Sequence, residues 1–280
     1  MKLTLIQLLA PMFLTRTLAM ATPARGLLAA NAASPSTSGA PSATPTHPVF
    51  ESVHWGGAAL INIDPAENYT FVSCSFAVPT VSVPANVPAT QLGEWKMGVS
   101  CALDGDLNES AIAAAGIEAS IVRAAYGKEI VTYQAVASWF PSTDLIFPVN
   151  VKPGDEVYVS VQGLSTSSAI ATFTNLSSGK KGGELYLQSP SSDSRLDGSS
   201  ADFITNRVLN ATDGTIAPLA DFGTVEINNI VANTQINKFN LNTSPHSNII
   251  NMVSDIDLSP VVNVTDPSGT TVRAVFVAGL

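Results

Sequence analysis

Thr70-Phe71-Val72-Ser73-Cys74-Ser75-Phe76-Ala77-Val78 places Phe71, Ser73 and Ser75 on one side of a two-residue period and Val72, Cys74 and Phe76 on the other. That alternation is the mark of a strand with one buried face. Pro79, Pro84 and Pro88 end it and open a loop. Outward from this stretch, strands are expected at Gly57 to Ile63, Val131 to Phe140, Phe147 to Val151, Glu156 to Gln162 and Ala169 to Asn175. Further strands follow at Glu184 to Gln188, Ala201 to Asn206, Thr224 to Ala232 and Val272 to Val277. Pro153-Gly154-Asp155 reads as a turn, and Asn175 to Gly183 as another in which Gly179 is free to take positive φ. Ala111 to Ala125 stays open: its alanines suit a helix, while Gly116, Ile117, Ile121 and Val122 suit a strand. Short strands and turns at this density mean an all-β sandwich or barrel.

Composition agrees. Charged residues make up 12% and aromatics 7% of 280 residues, with 19 Gly and 18 Pro as punctuation, a mix that favours strands over helices. The length suits one large domain or two small ones. Net charge is -9, and Lys2, Arg16 and Arg25 stand alone without an acid in residues 1–46, so the acidity falls on the remainder. Nucleic acid is excluded as a partner, because phosphate binding needs a basic surface. Few bases also suit acidic surroundings, though many secreted proteins are simply acidic.

Met1 to Ala21 reads as a signal peptide: Lys2, an apolar run from Leu3 to Leu14, then the small-residue exit Leu18-Ala19-Met20-Ala21. Residues 22–49 form a disordered leader or short propeptide, rich in Ala, Ser, Thr and Pro, and His47 falls within it. Residues 50–280 form the domain. No later apolar run is long enough to span a bilayer, so a secreted, extracellular monomer without membrane contact is expected. Sequons at Asn68, Asn108, Asn175, Asn210, Asn242 and Asn263 mark expected glycosylation sites, hence exposed positions. Two cysteines, Cys74 and Cys101, suit a disulfide in an oxidising compartment, with buried free thiols as the alternative. Two cysteines and three scattered histidines give no metal framework, and no cofactor is expected.

Several catalytic patterns fail. Asp221-Phe222-Gly223 looks like a kinase magnesium motif, but the chain has no Gly-rich phosphate loop and no His-Arg-Asp. Its role is a tight Gly turn entering a strand. There is no Gly-x-Ser-x-Gly, and His47, His54 and His246 have no evident Ser or Asp partner in the sequence. No pair of Asp-Thr-Gly loops exists.

A further set of segments runs in a recognisable order. They are Trp55-Gly56-Gly57-Ala58, Trp95, Asp104-Gly105, Ala111-Ile112 with Gly116-Ile117-Glu118, Trp139-Phe140-Pro141, Gly154-Asp155, Asn175-Leu176, Ala201-Asp202-Phe203-Ile204 and Ala220 to Val225. In order and spacing these resemble the eqolisins, the secreted fungal glutamic peptidases (family G1, formerly A4). The resemblance implies an antiparallel two-sheet β-sandwich of the concanavalin A/lectin-like jelly-roll type, with a strand at 111–125. It implies acid endopeptidase chemistry on a peptide or protein substrate, in which a Glu acts as base on water and a Gln amide holds the oxyanion.

At those two positions the chain differs. Ala114 stands where the family's Ala-Ile-Leu-Gln-Thr-Gly-Val-Asp segment has Gln, and Asp202 where Ala-Glu-Trp-Ile-Val-Glu has its first Glu; Asn206 replaces the second. A methyl cannot orient water, and a missing oxyanion donor costs on the order of 100- to 1000-fold in rate. Glu118 could supply a second carboxylate and Gln134 an amide. Trp55, Trp95 and Trp139 would line the cleft, with Ser138 replacing a family Glu. Lys96 to Leu103 separate Trp95 from Asp104-Gly105, where the family's Trp-Val-Gly-Ile-Asp-Gly is compact, so a loop insertion is one reading. The expected function is an acid endopeptidase with weak or lost activity; the alternative is an inactive member that binds peptides or glycans.

Overall fold

The alternation at 70–78 becomes β3, Phe71–Ala77, with Val72, Cys74 and Phe76 fully buried. The same logic builds the neighbouring strands in the computed structural model, which describes residues 47–277 except 63, 65, 66, 109, 143, 210–214 and 267. The signal segment, the leader to residue 46 and the sequon at Asn210 lie outside the described residues. The described residues belong to one compact unit.

They form β1 Val49–Ser52, β2 Trp55–Ile61, β4 Gly93–Leu103, β5 Ile112–Arg123, β6 Glu129–Phe140 and β7 Leu145–Ile146 around β3. Then come β8 Glu156–Ser165, β9 Ser168–Asn175, β10 Lys180–Gln188, β11 Ser200–Asn206 and β12 Thr224–Asn233. Last are β13 Lys238–Phe239, β14 Ser247–Val253, β15 Pro260–Thr265 and β16 Val272–Phe276. One hydrogen-bonded path links them in the order β10-β9-β8-β3-β12-β16-β15-β14-β2-β11-β4-β5-β6-β7, with β1 beside β14 and β13 beside β12. The ladders are antiparallel except β1 on β14, which is parallel. The path wraps nearly into a barrel, and β4 and β5 lie against β8 and β9. The expected antiparallel sandwich is therefore present, with its two layers joined through the β14–β15 edge.

The ambiguous 111–125 segment is a strand. Ala113, Ala115, Ile117, Ala119 and Ile121 are buried on one face, and the intervening positions are mostly half-buried. Gly116 is the residue a helix would tolerate least and this sheet most needs, since a Cβ there would run into the Val99 carbonyl. The interior is filled by Phe76, Phe147, Phe173, Phe203, Met97, Leu103 and Ile117, each worth roughly 1.5–3 kcal/mol of apolar burial. Gly223 takes φ 62° and its N–H meets Asp221 Oδ1 at 2.9 Å, the turn that starts β12.

Several expectations are corrected. Lys96 to Leu103 are no inserted loop: β4 pairs with β5 residue for residue over its full length. Phe147 to Val151 is not a strand; the strand there is the two-residue β7, and Phe147 is core. Asn175 is only 1% exposed, its amide held by Asp155 Oδ2 at 2.8 Å and the Asn150 carbonyl, so this sequon cannot carry a glycan in the folded chain. The other described sequon asparagines are exposed or half-buried. Residues 47–49 belong to the body rather than to a leader, because β1 docks on β14 and Pro48 accepts the Ile249 N–H.

Cys74 and Cys101 are bonded, joining β3 in one layer to β4 in the other with Cα atoms 6.4 Å apart. The closed loop spans 27 residues, for which chain entropy gives about 3–4 kcal/mol. Replacing both by Ala should lower the unfolding free energy in urea by about that amount. An unchanged midpoint would place the stabilisation elsewhere.

Candidate active site

Residues directly opposite on neighbouring strands point their side chains to the same face. Asp202 on β11 is opposite Ala59 on β2 and Ala102 on β4; Ala102 is opposite Ala114 on β5; Ala114 is opposite Ser138 on β6. Asp202 and Ala114 thus share one row and one face with a single strand between them, roughly 10 Å apart at the usual strand spacing. The face is the one turned away from the core, since odd-numbered residues of β4 and β5 fill the interior.

Two residues further along, a row of Gly57, Ile204, Ser100, Gly116 and Val136 crosses the same face. The next row holds Trp55, Asn206, Gly98, Glu118 and Gln134. Glu118 and Gln134 are therefore direct cross-strand neighbours. Trp55 packs on this face against Ala59, Ile61 and Ile250.

Trp95 and Trp139 do not line it. They are 3% and 2% exposed, on the core face of β4 and β6. The Trp139 indole N–H donates to Ser194 Oγ at 3.0 Å, and Arg123 sits over the Trp95 ring. Their odd numbering in these strands dictates this side. β4 runs unbroken from Gly93 to Leu103, up to Asp104-Gly105. Ser100, rather than Trp95, occupies an outward position of β4 on the site face.

Asp202 is 2% exposed. Gly105, at φ 132°, presses on it: a Cβ there would sit 2.6 Å from Asp202 Oδ2. The Ser200 hydroxyl and the Asp106 N–H bond the carboxyl, while Oδ1 has no partner. Burial, then the nearby Asp106 and Asp104 charges, raises its pKa well above the ordinary range. Asp104 is fully buried beside it and is pushed up to about 6 by burial and Asp197, against the pull of backbone N–H groups that favour its charge. Glu118 is pushed up to about 8 by burial and by Asp144, with which it shares a hydrogen bond; Lys96 works the other way.

Ser200, Asp106 and Asp144 are neighbours of these carboxyls that sequence reasoning missed. Asp106 and Ser200 lie two residues from recognised positions and could have been found by proximity. Asp144 is brought in by the β6–β7 turn, which leaves no local signal. Among the described residues, no group of three or more His, Cys, Asp or Glu could hold a metal. No helix among them is long and apolar enough to cross a membrane, which leaves β-barrels unaddressed.

Fold and row together define a lectin-like β-sandwich with a carboxyl set into one sheet face. The Peptidase A4 family model matches residues 53–274. The chain is 30% identical over 175 residues to Scytalidopepsin B of Scytalidium lignicola, 60% of this chain and 58% of that protein. It is 29% identical over 194 residues to Aspergillopepsin-2 of Aspergillus niger, 65% and 64% of the two. The matched part thus spans less than two thirds of either relative. A solved structure of scytalido-glutamic peptidase with a transition state analog inhibitor aligns with TM-score 0.65 at 25% identity, over 80% of this chain and 98% of that one. Aspergilloglutamic peptidase from Aspergillus niger shares the fold at TM-score 0.53 and 24% identity, over 65% and 99%. The chain belongs to the peptidase A4 family, the eqolisins.

An acid whose pKa is raised in the folded state stabilises the fold fully below its unfolded pKa, and loses that contribution as pH climbs to the folded value. For Glu118 the window runs from 4.5 to about 8, and for Asp104 from 3.8 to about 6. The melting temperature should therefore fall as pH rises from about 4 to about 8. Glu118→Gln should flatten the upper part of that decline, as read by calorimetry. A melting temperature that climbs across the window would contradict this electrostatic account.

Proposed function

We propose that the chain is a secreted acid-endopeptidase-type protein of the glutamic family, with a degenerate dyad and weak or lost hydrolysis of peptide bonds by activated water. One observation carries this reading: the row that joins Asp202 to Ala114 has a methyl where an amide is needed, and a short, buried acid where a reachable base is needed. A general base must be ionised and within hydrogen-bond reach of its water. Asp202 is raised above the acid range by burial and covered by Gly105, so at acid pH it holds a proton instead of taking one. Ala102 adds a methyl between the two positions, and Ser100 supplies no aromatic wall.

Glu118 and Gln134 are a cross-strand carboxyl and amide on this face, in the same row as Asn206. They support a residual route, with Asp144 as the partner sharing the Glu118 proton. The second reading is a family member that binds extended peptides or glycans without cleaving them. The burial of Asp202 favours it, since a sealed acid can shape a surface but cannot reach a scissile bond.

Incubation with denatured haemoglobin or casein from pH 2 to 8 tests both. Wild-type cleavage should be weak or undetectable at pH 2–4, and any residual rate should rise with pH as the raised acids ionise. Ala114→Gln with Asp202→Glu in an Ala102→Gly background should gain about 100-fold or more at acid pH, the worth of one oxyanion donor. Strong wild-type cleavage at pH 2–4 that Asp202→Ala leaves untouched would refute the assignment of the site.

A further inference from the structure

His47 has a polar side chain near each ring nitrogen. Nδ1 lies 2.7 Å from Ser247 Oγ, 200 residues away in the chain, and Nε2 lies 3.2 Å from Asp266 Oδ2. The parallel register explains the first contact: Val49 pairs with Ile249, and two steps back bring His47 beside Ser247 at the start of β14. Asp266 follows β15 and is itself fixed, its Oδ1 accepting the backbone N–H groups of Ser268 and Gly269, which leaves Oδ2 to face the ring. The side chains of His47 and Asp266 are 10% and 6% exposed, and Ser247 is 5% exposed.

This group does not sit in solid core. His47 and Ser247 line a cavity of about 280 Å³, together with Pro48, Leu241, Pro245 and Asn248. That volume is near the lower end of small-molecule sites. Apart from Asn248, which is opposite Ala59, the row containing Asp202 contributes nothing to it.

We propose that Ser247, His47 and Asp266 form a nucleophilic serine site that accepts small carboxylic esters through this cavity. With the ring proton on Nε2, Nδ1 keeps its lone pair and accepts from the Ser247 hydroxyl. Nε2 lies near Asp266 Oδ2 without aligning as a hydrogen bond in this structure, and catalytic links of this kind tighten when substrate binds. Ser247 Oγ bonds to the acyl carbon as its proton passes to His47 Nδ1. The ester C–O bond breaks and the alcohol leaves with that proton. Water then gives a proton to Nδ1 and its oxygen to the acyl carbon, and the acid departs as the serine hydroxyl is restored. Roles are reversed from the usual triad, in that Nδ1 serves the nucleophile and Nε2 the acid, but the proton path is the same.

The test uses the full-length chain with a fluorophosphonate probe, peptide mapping by mass spectrometry, and p-nitrophenyl acetate at neutral pH. Labelling should fall on Ser247, and turnover should vanish in Ser247→Ala. His47→Gln should slow labelling by at least about 100-fold, the scale of a general base. Should His47→Gln not fold, Ser247→Cys gives a second reading. Both native cysteines are bonded, so the new thiol would be the only one to react, and it should be alkylated by iodoacetamide faster than a denatured control. Three results would each reduce the residues to a clasp that pins β1 to β14: a folded wild type that resists the probe, labelling unchanged in His47→Gln, or alkylation of Ser247→Cys no faster than the denatured control.

Discussion

The Asp104 carboxylate accepts the backbone N–H groups of Asp197 at 2.8 Å, Gly198 at 3.2 Å, Ser199 at 2.9 Å and Ser200 at 3.4 Å. Those donors belong to the turn that launches β11, so one side chain sets where that strand enters the sheet. The Ser199 N–H also reaches Asp197 Oδ1 at 2.9 Å, but the buried N–H groups of Gly198 and Ser200 rely on Asp104, and a buried orphan costs roughly 1–3 kcal/mol. Because side-chain direction flips with every residue, a one-residue slip here would send Asp202 into the core and Phe203 onto the surface. The site face, the core and the pairing of β11 with both β2 and β4 all follow from this single knot. Asp104 takes φ 60° to make it, a conformation an Asp tolerates through its own local hydrogen bonding.

The same knot explains the electrostatics. Folding the Asp104–Gly105 turn back over β11 covers Asp202 and brings Asp106 and Asp104 near it. Three acids then crowd a space with few counter-charges. The cheapest state in such a place is a protonated one, which suits a fold that meets acid and works against a base that must be ionised.

Much of the fold was legible. β3, β8, β9, β11 and β12 announce themselves by period-two burial and by Gly or Pro at their ends. β4 carries the same signal: Trp95, Met97, Val99, Cys101 and Leu103 alternate with Glu94, Lys96, Gly98, Ser100 and Ala102. Matching Trp95 to the family's tryptophan hides that signal. Physical alternation is the better guide, and it assigns Trp95 to the core without any reference to relatives. β5 was ambiguous because alanine fills either a helix or a tightly packed sheet, and the deciding fact, the approach of Val99 to Gly116, lies in a neighbouring strand.

The candidate site was half legible. Asp202, Glu118 and Gln134 could be named from type and position, yet their arrangement in rows depends on register between strands far apart in the sequence. The His47 contacts were not legible at all. A Pro- and Thr-rich approach to His47 argued for a leader, and nothing near it in the chain foretells Ser247 or Asp266. What joins them is a short parallel ladder among antiparallel ones. A parallel edge strand needs no hairpin and gives no turn signal, so its partner is fixed only by the edge left open when β14 pairs with β2. That open edge decides which residue meets His47, and sequence periodicity carries no information about it.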